Sequence, residues 1–427
     1  MSRLWGVTAA LVTGLAVIPA MAATFTYSYT WTNTGQPAGT CSYIVPDIRP
    51  LQVPRTLMVD SATPVGTVLY SWDFNSFLPG FRLQCAGSGI DTGGSSGTSV
   101  NGTSVSGNMI LAELRFAGLT LSPVYSSSNP VYATTLAGIG LRMSVRADSD
   151  SITTSPTGST YSQHLSLYNV NGQLMVSPPP LGAVYLWGPG APGASMFIRP
   201  FRNGSGRYYI ASSATGFSVK AELVKTADTV QYGNLGLAGS PTATWSTPAA
   251  LSPGLPVDLL SGNAITVVSP SCRLRTTDYT VSMGTWAADT VNFTGSPAAG
   301  AAVPVGLDLE CSGQVADVQF RFEDTGSVPS TLAEKNVTLY DVGGNKVNGL
   351  EIEMKYNGNR VNIDGTTLTS TGSHGHPHTD TESVPSYTAA GQATFTANYI
   401  QNGPITVGGN NYTGPVSGKV NIWVTYN

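Results

Sequence analysis

Read in twos, the stretch Gly414 to Asn427 places Val416, Gly418, Val420, Ile422, Val424 and Tyr426 on one side. Pro415, Ser417, Lys419, Asn421, Trp423 and Thr425 fall on the other. A period of two with one apolar side predicts a half-buried β-strand. The same alternation recurs in "VPVGLDLEC", which puts Val305, Leu307, Leu309 and Cys311 on one face. "DVQFRFEDTGS", "KNVTLYDVGGNKV", "GLEIEMKYNGNRVNI" and "AGQATFTANYI" continue it as strands parted by Gly and Asn turns. Upstream, "ATFTYSYTWTN", "RTLMVD", "TVLYSW", "MILAELRF", "GIGLRMSVRA", "GRYYIASS" and "FSVKAELV" supply further short strands. The pattern predicts an all-β chain built from sandwiches.

Composition narrows this picture. Charged residues are 10% of the chain, against 49 Gly and 28 Pro, a balance typical of all-β extracellular proteins. A net charge of −4 leaves no electrostatic footprint for nucleic acid. Residues 1–22 have a basic start at Arg3, an apolar run and the cleavage pattern Ala20-Met21-Ala22, so they are expected to be a secretory signal peptide. No later stretch reaches the ~18 uninterrupted apolar residues of a membrane-spanning helix.

In an oxidising compartment the four cysteines, Cys41, Cys85, Cys272 and Cys311, point to disulfides, with three connectivities open. Pairing within each half (41 with 85, 272 with 311) is favoured because each pair encloses a short loop separated from the other by a long gap. A zinc site is the rival, and it lacks C-x-x-C spacing. Pro248, Pro253 and Pro256 lie in "STPAALSPGLPVDLLSGNA", which is expected to be a linker over 246–264 between domains at 23–245 and 265–427. The Gly/Ser/Thr-rich run from Gly87 to Gly107 is expected to be a solvated loop.

Some motifs invite chemistry. Asp91-Thr92-Gly93 and Asp324-Thr325-Gly326 echo the paired carboxylates of aspartic proteases. One lies in the Gly/Ser run and the other at a strand end where Asp-Thr-Gly turns the chain. "GGSSG" (93–97) fits G-x-S-x-G without the strand-turn-helix setting of a nucleophile elbow. No enzyme and no cofactor is expected. His374, His376 and His378 share one face of an extended chain and could offer three imidazoles to a metal, although a plain loop would show the same letters.

The second half resembles the pilin domain of chaperone–usher fimbriae. The resemblance is carried by Cys272 at a strand start, "VGLDLEC" ending at Cys311, "FRFEDTG", Gly414 fourteenth from the end, and the penultimate Tyr426. It implies an immunoglobulin-like sandwich lacking its seventh strand. The exposed groove would be formed by Gly414, Val416, Gly418, Val420, Ile422, Val424, Tyr426 and Asn427. The implied partners are a periplasmic chaperone, an outer-membrane usher, and an adjacent fimbrial subunit donating an N-terminal strand.

With a large domain ahead of the pilin-like module, the layout resembles a two-domain tip adhesin at the fimbrium tip. Such a protein is secreted through the periplasm and binds an extracellular receptor, with a glycan as the expected class. A non-adhesive structural or initiator subunit is the alternative. Phe25, Tyr27, Tyr29 and Trp31 alternate with Thr and Ser as a donor arm would, but their bulk reads better as an ordinary first strand. Candidate receptor residues combine aromatic faces with polar neighbours: Trp72, Asp73, Phe74 and Asn75 in "YSWDFNSF", Trp187 in "YLWGPG", and Asn203, Tyr208 and Tyr209 in "RNGSGRYYI".

Overall fold

The computed structural model describes residues 22–426 except 61–62, 93–98, 105–109, 127–128, 151, 155–159, 163, 199, 211, 247–254, 288–292, 294–296, 333–334, 377–386 and 388. Among the described residues every regular element is a β-strand except a 3₁₀ turn at Pro50–Gln52. Two bodies follow one another along the chain, each with its own core.

The first body stacks two sheets. One is eight-stranded and antiparallel, running Ala22–Thr30, Pro37–Pro46, Leu78–Gly87, Ser213–Lys225, Ile139–Asp150, Val184–Leu186 along its main path. The other is six-stranded: Gln173–Val176, His164–Val170, Gly193–Phe197, Ile110–Ala117, Thr242–Ser246, Leu255–Val257. Alternation along each strand sends one set of side chains between the sheets. Phe81 and Phe217 stack at 4.7 Å on the larger sheet, and Trp245 reaches across from the smaller one to 5.7 Å from Phe81. One continuous core, from Tyr29 to Val267, makes this half a single sandwich. Cys41 and Cys85 face each other in neighbouring strands and are bonded, as are Cys272 and Cys311 in the second body.

Ala22–Thr30 pairs along its length with Pro37–Pro46, so it is a strand of its own sheet. The boundary between bodies departs from the expected one. Leu255–Val257 and Ile265–Val268 are strands of the first body, and Leu259, Leu260, Ile265 and Val267 lie in its core. Pro256, read as a linker signal, sits instead in an edge strand, where its missing N–H costs no ladder bond. The chain changes body at Ser269 and Pro270, just ahead of Cys272. The 87–107 run is also more engaged than a free loop. Asp91 is fully buried, and Val100 bridges Trp31.

The second body pairs an eight-stranded sheet with a three-stranded one. The main path of the first is Ser271–Leu274, Val303–Ser312, Ala389–Val407, Lys346–Tyr356, Val337–Tyr340; the second is Asp364–Ser370, Val318–Asp324, Val420–Tyr426. Leu307, Leu309 and Cys311 are buried on one face as their alternation demands, and Val305 joins them. Phe395 from the larger sheet meets Phe320 and Phe322 from the smaller at 5.4 and 5.1 Å, which closes the core. Asn357 and Gly358 both have positive φ in the two-residue turn joining Lys346–Tyr356 to Asn359–Val361, the conformation such a hairpin requires.

Asp364 opens a strand of the smaller sheet. Burial pushes its carboxyl up, but Thr367 Oγ1 and N (2.6 and 2.7 Å) and Thr366 N (2.8 Å) donate to it and hold it at about 2. A carboxylate lowered in the folded state stabilises fully above its unfolded value, and that contribution is lost as pH falls through the folded one. Asp364→Asn is therefore expected to lower stability at pH 7. Urea titrations at pH 7 and about pH 2 should show the gap from wild type closing in acid.

Candidate functional site

The terminal strand Val420–Tyr426 pairs with Val318–Asp324 in a register that sets Val424 beside Phe320 and Ile422 beside Phe322. Residues directly opposite in an antiparallel pair point to the same face. Phe320 and Phe322 are fully buried, whereas Val420, Ile422 and Val424 on the same face are only half-buried. Cover over the core thus thins at the terminal strand. That strand is the last of its sheet, and among the described residues no strand pairs with its other edge.

Across from that edge runs a second wall that sequence reasoning missed. Ser271–Leu274 lies against the terminal strand, and the chain continues from it through 275–287 without joining a sheet. Tyr279, Val281 and Met283 alternate onto the core, each half-buried, with exposed Thr280 and Ser282 between them. Their period of two in "DYTVSMGTW" was the readable signal. The Tyr279 hydroxyl donates to Asp308 O at 3.1 Å, and Trp286 Nε1 donates to Gln401 Oε1 at 3.0 Å, which fixes the wall at both ends. Two half-covered apolar rows thus pack on one core, and among the described residues no strand pairs with the outer edge of Val420–Tyr426.

The upper end of the groove is shaped by two glycines. The expected single strand from Val416 is in fact divided. Ser417 exchanges backbone hydrogen bonds with Tyr340 of the larger sheet (2.8 and 2.9 Å), and regular pairing with the smaller sheet starts at Val420. A Cβ on Gly418 would lie 2.8 Å from both Thr338 O and Val337 Cγ1, so only glycine lets the chain cross there. A Cβ on Gly414 would lie 2.7 Å from the Tyr412 hydroxyl, which donates to Pro415 O at 2.8 Å. Val416, Tyr412, Met283 and Trp286 pack on a small separate cluster of Leu339, Val347, Leu350 and Tyr399. Trp423 faces outward under the Arg321 guanidinium, 4.4 Å from its ring, and Tyr426 is exposed. Asn427 lies outside the described residues.

The other candidates are scattered. Trp72 and Trp187 are buried in the first core and present no face to a ligand, which corrects their reading as platforms. Asp73 and Asn75 are exposed on the turn after Trp72, above Phe74, which lies under the Arg146 guanidinium at 4.2 Å. Tyr208 and Tyr209 are half-buried beside the start of Ser213–Lys225. The opposite end of that strand, Lys225, reaches Thr63 O near the second body. At ~3.4 Å per residue the tyrosines therefore sit roughly 40 Å from the junction, at the far end of the first body. Asn203 is occupied in its own turn, accepting from Ser205 N and Arg207 N.

The Asp-Thr-Gly triplets lie in different bodies. Asp91 accepts from Asn33 Nδ2 at 2.9 Å, and its N–H donates to Tyr208 O at 2.8 Å. Asp324 accepts from Gly326 N and Thr338 N at 3.1 Å each, so it shapes a turn. The "GGSSG" run lies outside the described residues. His374 Nε2 is 2.9 Å from Thr371 Oγ1; burial pushes its imidazole below the usual range, and a Thr371 hydrogen bond and the Asp317 charge partly oppose the shift. His376 is exposed, His378 lies outside the described residues, and no group of three metal-ligand side chains forms among the described residues.

Gly418→Val tests the crossing. Forcing a branched side chain against Thr338 O is expected to destabilise the second body by about 1–3 kcal/mol, read as a lower urea midpoint.

No family model matches the sequence, and no curated protein matches it. Among solved structures the chain is similar to the CupB6 tip adhesin from Pseudomonas aeruginosa, with 14% identity, 93% of this chain and 95% of that one covered, and a TM-score of 0.43. It is similar to the receptor binding domain of the plasmid-borne adhesin MrkD1P of Klebsiella pneumoniae at 15% identity, covering 59% and 99%, with a TM-score of 0.22. It is also similar to the P pilus rod subunit PapA at 17% identity, covering 37% and 99%, with a TM-score of 0.25. The solved structures this chain resembles, at low identity, are tip adhesins and pilus subunits of the chaperone–usher kind.

Proposed function

We propose that this chain is a fimbrial tip adhesin whose second body is completed by a strand from another protein. The observation that carries the reading is the half-buried row Val420, Ile422 and Val424 on a sheet edge, with a second half-buried row, Tyr279, Val281 and Met283, on the same core. An extended segment laid between them would hydrogen-bond to the free strand edge and drop alternate side chains onto the core. A periplasmic chaperone would fill the groove first. The N-terminal strand of the next fimbrial subunit would replace it at the outer-membrane usher.

Ala22–Thr30 is held in its own sheet and is therefore not offered to a neighbour, which suits a subunit that accepts a strand and ends the fibre. The first body would then meet an extracellular receptor, with a glycan as the class and Tyr208 and Tyr209 at the end remote from the groove as the contact region. Attachment needs no catalysis; its strength would come from many fimbriae acting together.

Production of the full chain in a Gram-negative periplasm with its chaperone tests the groove. The wild type is expected to co-purify with the chaperone in a 1:1 complex, and Ile422→Asp, which puts a charge on the apolar row, is expected to lose it. A wild-type chain that purifies alone as a stable monomer would contradict the reading. For the receptor, the same complex applied to a glycan array is expected to bind, and Tyr208→Ala/Tyr209→Ala to reduce binding at least tenfold with the complex intact. Undiminished binding would move the receptor site elsewhere.

A further inference from the structure

The junction between the two bodies is built more tightly than a hinge. Met58 ends the strand Arg55–Met58, which pairs in parallel with Ile265–Val268. Val59 N continues the ladder, donating to Val268 O at 3.1 Å. Asp60 then turns to the second body. Its side chain is 3% exposed, and Oδ1 accepts the N–H of Gln314 at 3.3 Å. Ser312, fully buried, donates through Oγ to Met58 Sδ at 3.0 Å.

Between them, Gly313 has φ +81°. A Cβ there would lie 2.6 Å from Asp60 Oδ1, 2.9 Å from Pro270 Cβ and 3.1 Å from Met58 Sδ. Glycine is needed on both counts, conformation and space. The turn Ser312–Gln314 follows Cys311 directly, and Gly375 packs against Gly313 O and Cys311 Cβ, so the grip reaches the disulfide and the strand beside it.

On the first body's side the grip is anchored by a lysine with no part in either proposed site. Lys225, fully buried, donates through Nζ to Thr63 O at 2.6 Å and Asp60 O at 3.3 Å. Its backbone is paired with Gly66 and Thr67. Lys225 closes the long strand Ser213–Lys225, which runs the length of the first body to the region of Tyr208 and Tyr209.

We infer that Asp60, fixed from behind by Lys225 and seated over Gly313, latches the two sandwiches into one cooperative unit, so that neither opens without the other. Modules joined by a short connection ordinarily move and unfold separately. Here parting would break the Gln314 N–H bond to a buried carboxylate, the Ser312–Met58 contact and the close seat of Gly313 against Asp60 and Pro270, and losing a hydrogen bond to a buried charged group is costly. The inference concerns the junction alone and stands whether or not the groove accepts a strand.

The test follows unfolding of the full chain by hydrogen exchange under increasing urea, comparing peptides from Ile139–Asp150 and Ser213–Lys225 with peptides from Val303–Ser312 and Lys346–Tyr356. The wild type is expected to show one shared midpoint for both bodies, and Asp60→Ala two separated midpoints. Asp60→Asn, which keeps an oxygen to accept from Gln314, is expected to restore a shared one. Two independent midpoints in the wild type, or a shared and unshifted midpoint in Asp60→Ala, would overturn the latch. Should Asp60→Ala fail to fold, the wild-type midpoints and Asp60→Asn still decide.

Discussion

A sheet can end safely only where its last strand hides its apolar face and satisfies its backbone. Unpaired N–H and C=O groups beside exposed aliphatics template association with any extended chain. In the second body the terminal strand leaves Val420, Ile422 and Val424 half-covered, and the opposite wall does the same with Tyr279, Val281 and Met283. At ~25 cal/mol per Å² of apolar surface, covering half of six such side chains is worth several kcal/mol, a large fraction of a domain's net stability.

The first body meets the same constraint differently. Its outermost strand Ala22–Thr30 buries Tyr29, turns Thr24, Thr26, Ser28 and Thr30 to solvent, and ties its end to Asn101 through Thr30 N and Oγ1. The Tyr29 hydroxyl meets that of Tyr43 inside the core, where burial pushes both phenols up. A polar outer row and a capped end make that edge unattractive to strangers. The contrast between an edge whose outer row is polar and one whose apolar row is half-covered, in two bodies that meet at Asp60 and Gly313, is the organising feature of the molecule.

Much of this was legible in the letters. The period of two found the strands, and Val305 to Cys311 point inward as it demanded. Pairing of Cys41 with Cys85 and of Cys272 with Cys311 followed from loop length. Other features were hidden for physical reasons. Trp72 and Trp187 offer aromatic faces in segments with polar or turn-forming neighbours, and only the stacking of two sheets shows that both are buried. Pro256 punctuates a sequence but is tolerated on an edge, so the linker reading failed there. Tyr279, Val281 and Met283 show a readable period of two in "DYTVSMGTW", but among the described residues the segment joins no sheet, so the alternation marks a packed row rather than a paired strand. Asp60 and Gly313 lie 253 positions apart (313 − 60), and no local pattern connects them.

The central claim is that the free edge of Val420–Tyr426 awaits a backbone. Its most direct measurement is hydrogen exchange on a fragment covering Val416–Tyr426 within the full chain, before and after adding a peptide of alternating aliphatic and polar residues. The account predicts that exchange there slows markedly on addition, while the fragment covering Ser213–Lys225 is unchanged. Exchange that is already slow without peptide, and indifferent to it, would contradict the account.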